Sequence, residues 1–137
     1  MSNETNAPLG CHHVAMKVPN FDEVLAFYTE VLGLPVHKTW GAAEKRAALL
    51  TMGGGVMLEI FAGATEKAQP PSTGWLHIAF ATCDVDGLIA RVQQAGMTVT
   101  IEPRDVDLEG TPSPLRARIA FFQGPAGEVV EFFDEKS

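Results

Sequence analysis

The chain repeats itself once, and this repeat limits the folds available to it more than any other feature of the sequence. The segment HVAM that begins at His13 corresponds to the segment HIAF that begins at His77, 64 residues later. Other positions match in the same order along both copies: Asn20 with Asp84, and Gly33 with Gly96. A repeat of this kind predicts two similar structural units within one chain of 137 residues.

The two copies also end alike. Residues 54–61 read GGVMLEIF, and residues 127–133 read GEVVEFF. Each copy therefore begins on a strand that carries a histidine and closes on an apolar strand that carries a glutamate. A module of about 60 residues buries little apolar surface alone, so we expect the two modules to pack together or with another chain.

Hydrophobic periodicity predicts the same element order, β-α-β-β-β, in both copies. In each copy we expect a helix after the first strand, and Asn20 with Glu23 resembles a capping box at the start of the first helix. A glycine follows where each helix should end. The strands are predicted near residues 13–18, 36–40, 45–51 and 56–61 in the first copy, and near 76–82, 98–102, 116–122 and 128–133 in the second.

These elements predict an α+β protein with one domain over residues 10–137. Residues 1–9 are expected to form a disordered lead-in, and the two modules to span 10–63 and 75–135, with a linker rich in Pro, Gly and Ser/Thr between them.

The composition excludes several classes of protein. Seventeen acidic and ten basic residues give a net charge of −7, which argues against nucleic-acid binding and against a polybasic membrane anchor. No apolar run approaches the roughly 18 residues of a membrane span, and the first ten residues do not resemble a secretory signal. Two cysteines without metal-like spacing suit a reduced, cytoplasmic protein.

Four side chains occupy equivalent places in the two copies and form a candidate metal site. They are His13, Glu59, His77 and Glu131. Two imidazoles and two carboxylates suit zinc, nickel, cobalt, manganese or iron(II). Both glutamates lie within apolar runs, where a carboxylate is costly to bury unless it is paired or bound to a metal.

The segments HHVAMKVPNFDEVLAFYTEVLGLPV, VMLEIF, GWLHIAF and GPAGEVVEFFDE resemble the vicinal oxygen chelate superfamily, which includes glyoxalase I, bleomycin-resistance proteins and extradiol dioxygenases. The resemblance covers about residues 10–135. It implies the glyoxalase/bleomycin resistance/dioxygenase fold, in which two βαβββ modules form a cupped, incomplete barrel around a metal.

Within the superfamily, the four candidate ligands match those of glyoxalase I one by one. The resemblance therefore implies a lactoylglutathione lyase-like isomerase with one divalent ion (nickel, cobalt or zinc) that acts on the hemithioacetal of a 2-oxoaldehyde and a thiol. It also implies a proton transfer through a metal-stabilised enediolate, with Glu131 as the base and Glu59 able to share that role.

Three cations are candidate contacts for the substrate. Lys17 stands where glyoxalase I usually has an arginine, and Arg116 and Arg118 share one strand face on which they could hold a carboxylate or phosphate. The arginine pair can also be interpreted as a solvent-facing charge balance with nearby acids. His12 is expected to face away from His13 and to be structural.

The sequence leaves further functions open. A methylmalonyl-CoA epimerase-like enzyme would share the proton chemistry, although that branch typically has Gln where this chain has Glu59. A metal-free binding protein of the bleomycin-resistance type and an iron(II) dioxygenase also remain open. A homodimer acting on a small molecule is expected, and the site can be closed within one chain or shared between two.

Overall fold

Each half of the chain folds as one copy of the expected βαβββ module in the computed structural model, which describes residues 6–136. The chain divides between Thr65 and Glu66 into two units. Of the expected lead-in over residues 1–9, residues 1–5 lie outside the described part of the chain. The expected α+β class with two βαβββ modules is confirmed.

The first unit is a four-stranded mixed sheet with one helix. Its elements are β1 (His13–Lys17), α1 (Phe21–Ala26), β2 (Val36–Trp40), β3 (Ala47–Gly53) and β4 (Val56–Phe61). The strand order is β1-β4-β3-β2, with β1 and β4 parallel and the other pairs antiparallel. The first and last strands of the module are therefore neighbours. α1 leads the chain from β1 to β2 at the far edge of the sheet, and the antiparallel strands β3 and β4 return it to the side of β1.

The second unit repeats this topology. Its elements are β5 (Ile78–Ala81), α2 (Val85–Gln94), β6 (Thr98–Leu108), β7 (Leu115–Gln123) and β8 (Val129–Glu135). The order is β5-β8-β7-β6, and β5 and β8 are again the parallel pair. The internal repeat of the sequence is thus a repeat of structure. In each unit the histidine lies at or just before the start of the first strand, and the glutamate lies on the parallel strand beside it.

The two helices begin differently. The Asp84 side chain accepts a hydrogen bond from the Gly87 N–H and caps α2. The expected cap at Asn20 is wrong, because its side-chain amide donates to Oε1 of Glu23 at 2.7 Å and makes no cap hydrogen bond. α1 continues as a π-helical turn over Phe27–Val31. Among residues 6–136, no helix is long and apolar enough to cross a membrane.

Strand alternation separates a buried face from the face that carries the candidate ligands. On β4, Leu58 and Ile60 are buried in the core of the first unit, together with Val24 of α1. On β8, Val130 and Phe132 are buried in the same way, and α2 packs on this strand. Since successive side chains point to opposite faces, the glutamates between these residues point to the face away from the helix.

One strand is longer than its sequence pattern predicts. The pattern places β6 near residues 98–102, but the strand extends to Leu108. It pairs with β7 as far as Leu108 opposite Leu115. The charged residues of this extension show no clear alternation of apolar and polar side chains. The extension is therefore a strand because it pairs with β7.

Candidate metal centre

The two halves place their histidine and glutamate in the same register. Ala15 of β1 lies opposite Glu59 of β4, and Ala79 of β5 lies opposite Glu131 of β8. The histidines stand two residues before these alanines, so each histidine and glutamate are diagonal neighbours on one face of adjacent parallel strands.

Each histidine is within contact distance of the glutamate of its own unit. Nε2 of His13 lies 3.3 Å from Oε1 of Glu59, and Nε2 of His77 lies 3.1 Å from Oε1 of Glu131. The histidine side chains are 42% and 35% exposed, whereas those of the glutamates are 14% and 10% exposed. In each pair the carboxylate is less exposed than the imidazole, and Glu131 is buried whereas Glu59 is partly buried.

Glu131 is the buried charged residue of this centre, with 7% of its surface exposed. Burial raises the pKa of its carboxyl, and the neighbouring His77 only partly opposes that rise by its charge and hydrogen bond. A carboxylate in this position requires a proton or a positive partner.

The two imidazoles are held by different neighbours. Nδ1 of His13 lies 2.9 Å from Nδ1 of His12, with the rings edge to face. His77 instead packs edge to face against the Phe121 ring, whose centroid is 5.1 Å away. The expectation that His12 faces away from His13 is wrong, because His12 precedes β1 and its side chain does not follow the strand alternation.

Sequence reasoning missed both neighbours. The consecutive histidines at the start of a strand were a usable signal for His12. Phe121 lies opposite Glu131 in the β7–β8 pairing, and its contact with His77 depends on a strand register that the sequence does not state.

The donor atoms of each pair fit adjacent ligands of one metal ion. Ligands about 2.1 Å from an ion lie about 3.0 Å apart in octahedral geometry and about 3.4 Å apart in tetrahedral geometry. The separations of 3.3 and 3.1 Å fall within this range. Imidazole nitrogen with carboxylate oxygen is also a donor set that divalent transition metals accept, and a cation would neutralise the buried carboxylate.

Each unit contributes one such pair. Across residues 6–136, no group of three or more His, Cys, Asp and Glu side chains comes together as a metal-like cluster. The complete set of four ligands therefore stays a prediction.

The three candidate substrate contacts have different surroundings. Arg118 donates to both carboxylate oxygens of Asp86 at 2.7 and 2.9 Å, and also to Asp105 at 3.1 Å. Arg116 makes a longer contact of 3.6 Å to Asp107 and is 64% exposed. Lys17 is exposed at the end of β1. The charge of Arg118 is thus already matched by two acids, whereas Arg116 and Lys17 are more open to solvent.

The ion pair between Arg118 and Asp86 changes the pKa of the acid. The Arg118 guanidinium holds the pKa of the Asp86 carboxyl below the usual value, mainly through the direct hydrogen bonds. The contact joins β7 to the first turn of α2, so it braces the second unit on the surface.

Comparison with known proteins agrees with this architecture. Residues 10–132 match the Glyoxalase/Bleomycin resistance protein/Dioxygenase superfamily. A lactoylglutathione lyase of Arabidopsis thaliana is 29% identical over 124 residues, which cover 87% of this chain and 42% of that protein. The chain thus spans about two fifths of the length of that relative.

Two further similar proteins cover more of their own length. A 2-epi-5-epi-valiolone epimerase of an Actinomyces species is 29% identical over 146 residues, which cover 90% of this chain and 78% of the epimerase. The structure of the trypanothione-dependent glyoxalase I of Leishmania major superposes with a TM-score of 0.66 at 25% identity, covering 93% of this chain and 87% of that one. The similar proteins thus include both lyases and an epimerase.

Proposed function

The chain belongs to the glyoxalase/bleomycin resistance protein/dioxygenase superfamily, and on that premise we propose that it is a metal-dependent isomerase of the glyoxalase I type. The proposed substrate is the hemithioacetal formed by a 2-oxoaldehyde and a thiol. The observation that carries the proposal is the matched pair of His–Glu contacts, one in each unit, at the same strand register.

We propose that His13, Glu59, His77 and Glu131 together hold one divalent ion, with nickel, cobalt and zinc as the candidates. Members of this superfamily bind a divalent metal. When bound, such an ion acts as a Lewis acid on the oxygens of the substrate. Both imidazoles are partly open to solvent, His13 at 42% and His77 at 35%.

Glu131 is the proposed base. Its burial raises the pKa of the carboxyl, and a carboxylate with a raised pKa accepts a proton more readily at neutral pH. It removes the proton from the carbon that bears the hydroxyl and sulfur, and delivers that proton to the adjacent carbonyl carbon. The hydroxyl hydrogen moves between the two oxygens, so the hemithioacetal becomes a 2-hydroxy thioester without gain or loss of atoms.

Glu59 holds the equivalent place in the first unit and is the second candidate for this proton transfer. Its side chain is more exposed than that of Glu131, at 14% against 10%. Lys17 and Arg116 are the proposed contacts for an anionic part of the substrate, because both are more exposed than Arg118, whose guanidinium donates to two acids.

An epimerase is the second candidate function. The Actinomyces epimerase is as similar in sequence as the plant lyase and is covered over more of its length. The same base would then remove a proton and return one to the same carbon. Of the epimerases, a methylmalonyl-CoA type is less favoured because Glu59 stands where Gln is typical.

The test combines metal analysis with two assays. Protein purified without chelator is analysed for bound metal and then assayed with added nickel, cobalt or zinc, each alone. We expect one equivalent of metal per site and turnover of the methylglyoxal–glutathione hemithioacetal. If no metal binds and none of the three restores activity, the proposal is wrong. If the protein binds metal but does not convert the hemithioacetal, the second assay decides. Exchange with D₂O solvent of the proton beside the carbonyl of a candidate epimerase substrate would favour the epimerase.

A further inference from the structure

The first His–Glu pair has an additional polar neighbour, whose counterpart in the second copy is a leucine. Nδ1 of His12 lies 2.9 Å from Nδ1 of His13. The opposite side of the His13 ring presents Nε2 to Oε1 of Glu59 at 3.3 Å. Both nitrogens of His13 are therefore engaged, each by a different side chain.

Two imidazole nitrogens at this distance share one proton, so one donates and the other accepts. A cation between Nε2 of His13 and Glu59 requires the lone pair of Nε2, which leaves the hydrogen on Nδ1. Histidines that bind metals usually donate this second N–H to an oxygen that fixes the ring. Here the acceptor within reach is Nδ1 of His12.

The internal repeat supplies a natural comparison. Leu76 stands 64 residues after His12 and directly before His77, so it occupies the equivalent place. Its side chain has no polar atom, and His77 packs against Phe121 instead. The two halves therefore hold equivalent imidazoles in different ways, one by a hydrogen bond and one by ring packing.

We propose that His12 is a positioning residue for His13. When an ion is held between Nε2 of His13 and Glu59, Nδ1 of His12 accepts the Nδ1–H of His13, which leaves the lone pair of Nε2 for the ion. His12 touches neither substrate nor the proposed ion and acts only through His13. The inference rests on the proposed function to the extent that His13 is a metal ligand.

Three variants separate the hydrogen bond from ring packing. His12→Asn places Oδ1 the same number of bonds from the backbone as Nδ1 of histidine and keeps an acceptor. His12→Phe keeps a ring but removes the acceptor. Leu76→Ala, at the equivalent place beside His77, is the matched control. All three variants change exposed residues, and thermal unfolding of each variant checks that the fold is retained.

The first measurement is the dissociation constant for Zn²⁺ by titration calorimetry. We expect His12→Phe to weaken binding by about 10- to 100-fold, the range seen when partners of metal-bound histidines are removed. His12→Asn and Leu76→Ala should bind within a few-fold of the unmodified protein. Equal affinity in His12→Phe and His12→Asn would overturn the proposal.

The second measurement needs no metal. In ¹⁵N-labelled, metal-free protein at about pH 8, where free histidine is uncharged, an N–H···N bond gives a scalar coupling between the Nδ1 atoms of His12 and His13. We expect this coupling in the unmodified protein. Its absence would overturn the proposal whatever the zinc result. If the coupling is present but the unmodified protein binds no zinc, the metal-dependent function fails while the hydrogen bond to His13 stands.

Discussion

Nε2 of His77 lies 3.1 Å from Oε1 of Glu131, a residue whose surface is only 7% exposed. The contact joins the residue directly before β5 to the middle of the parallel neighbour β8. An imidazole open to solvent thus meets a carboxylate that sits among core residues. This combination is unfavourable for a bare charge but suits a proton carrier or a metal ligand.

The first prediction concerns the proposed base. Glu131→Gln keeps the size of the side chain but removes its ability to take a proton. We expect the rate of hemithioacetal turnover to fall by about 10²- to 10⁴-fold, the usual contribution of general-base catalysis. Steady-state kinetics with added metal measure it. Glu135→Gln, at the exposed end of the same strand, is the control and should retain full activity. Full activity in Glu131→Gln would show that another residue is the base.

The second prediction concerns pH and stability without metal. Burial raises the pKa of Glu131, so the folded protein keeps this proton to a higher pH than the unfolded chain does. Its stabilising effect is complete below the ordinary glutamate pKa and is lost as pH rises through the raised value. We expect Glu131→Gln to lack this decline. Urea unfolding from about pH 4 to pH 8 measures it, and identical slopes in the two proteins would contradict the assignment.

The third prediction concerns metal addition. A ligand that binds only the folded state stabilises it, by about 2.7 kcal/mol at 100 times the dissociation constant. We expect nickel, cobalt or zinc to raise the unfolding temperature and a chelator to reverse the rise. His77→Ala should abolish most of the shift, whereas His37→Ala, an exposed histidine of β2, should keep it. A shift of equal size in both variants would mean that the ion binds elsewhere.

The fourth prediction separates the two arginines of β7. Arg118 lowers the pKa of Asp86, so the stability from this ion pair is present above the ordinary aspartate pKa and is lost as pH falls through the lowered value. We expect Arg118→Gln to lower the unfolding temperature at neutral pH, with a difference that shrinks in acid. KM should stay unchanged in Arg118→Gln and rise in Arg116→Gln. A higher KM in Arg118→Gln alone would assign the substrate contact to Arg118.

The fifth prediction tests a close backbone approach. Gly127 has φ +89°, and a Cβ there would collide with the carbonyl oxygen of Ala68. Gly55 has a similar φ of +81°, but no described atom beyond its chain neighbours lies within 4 Å of its Cβ position. Gly55→Ala should cost about 1 kcal/mol from backbone strain alone, and Gly127→Ala at least about 1 kcal/mol more. Urea unfolding gives both values, and equal losses would contradict the approach of Ala68.

Much of the fold was predictable because its signals are local. Alternation of apolar and polar residues predicts the strand that carries His13, and an apolar run predicts the strand that carries Glu131. Gly33 and Gly96 follow the helical segments at φ +76° and +91°. Asp84 caps its helix as its residue type favours. The element order and the choice of the four candidate ligands follow from these patterns and from the repeat.

Other features depended on partners distant in sequence. The extension of β6 to Leu108 comes from its pairing with β7, and the role of Arg118 comes from acids on α2 and β6. The expected cap at Asn20 was wrong for a local reason, because its side-chain amide donates to the Glu23 carboxylate three residues later. In each case the side chain had several chemically suitable partners. Its residue type alone did not determine which of them it contacts in the folded protein.

The sequence by itself determined the two-module organisation and indicated four candidate ligands, because the repeat and the hydrophobic pattern are properties of the chain read in order. Only the tertiary structure decided that Ala15 lies opposite Glu59 and Ala79 opposite Glu131. That register brings each imidazole within 3.3 Å of its carboxylate. The physical reason is that alternation sets which face a side chain occupies, whereas its neighbour on the next strand depends on how two distant segments align.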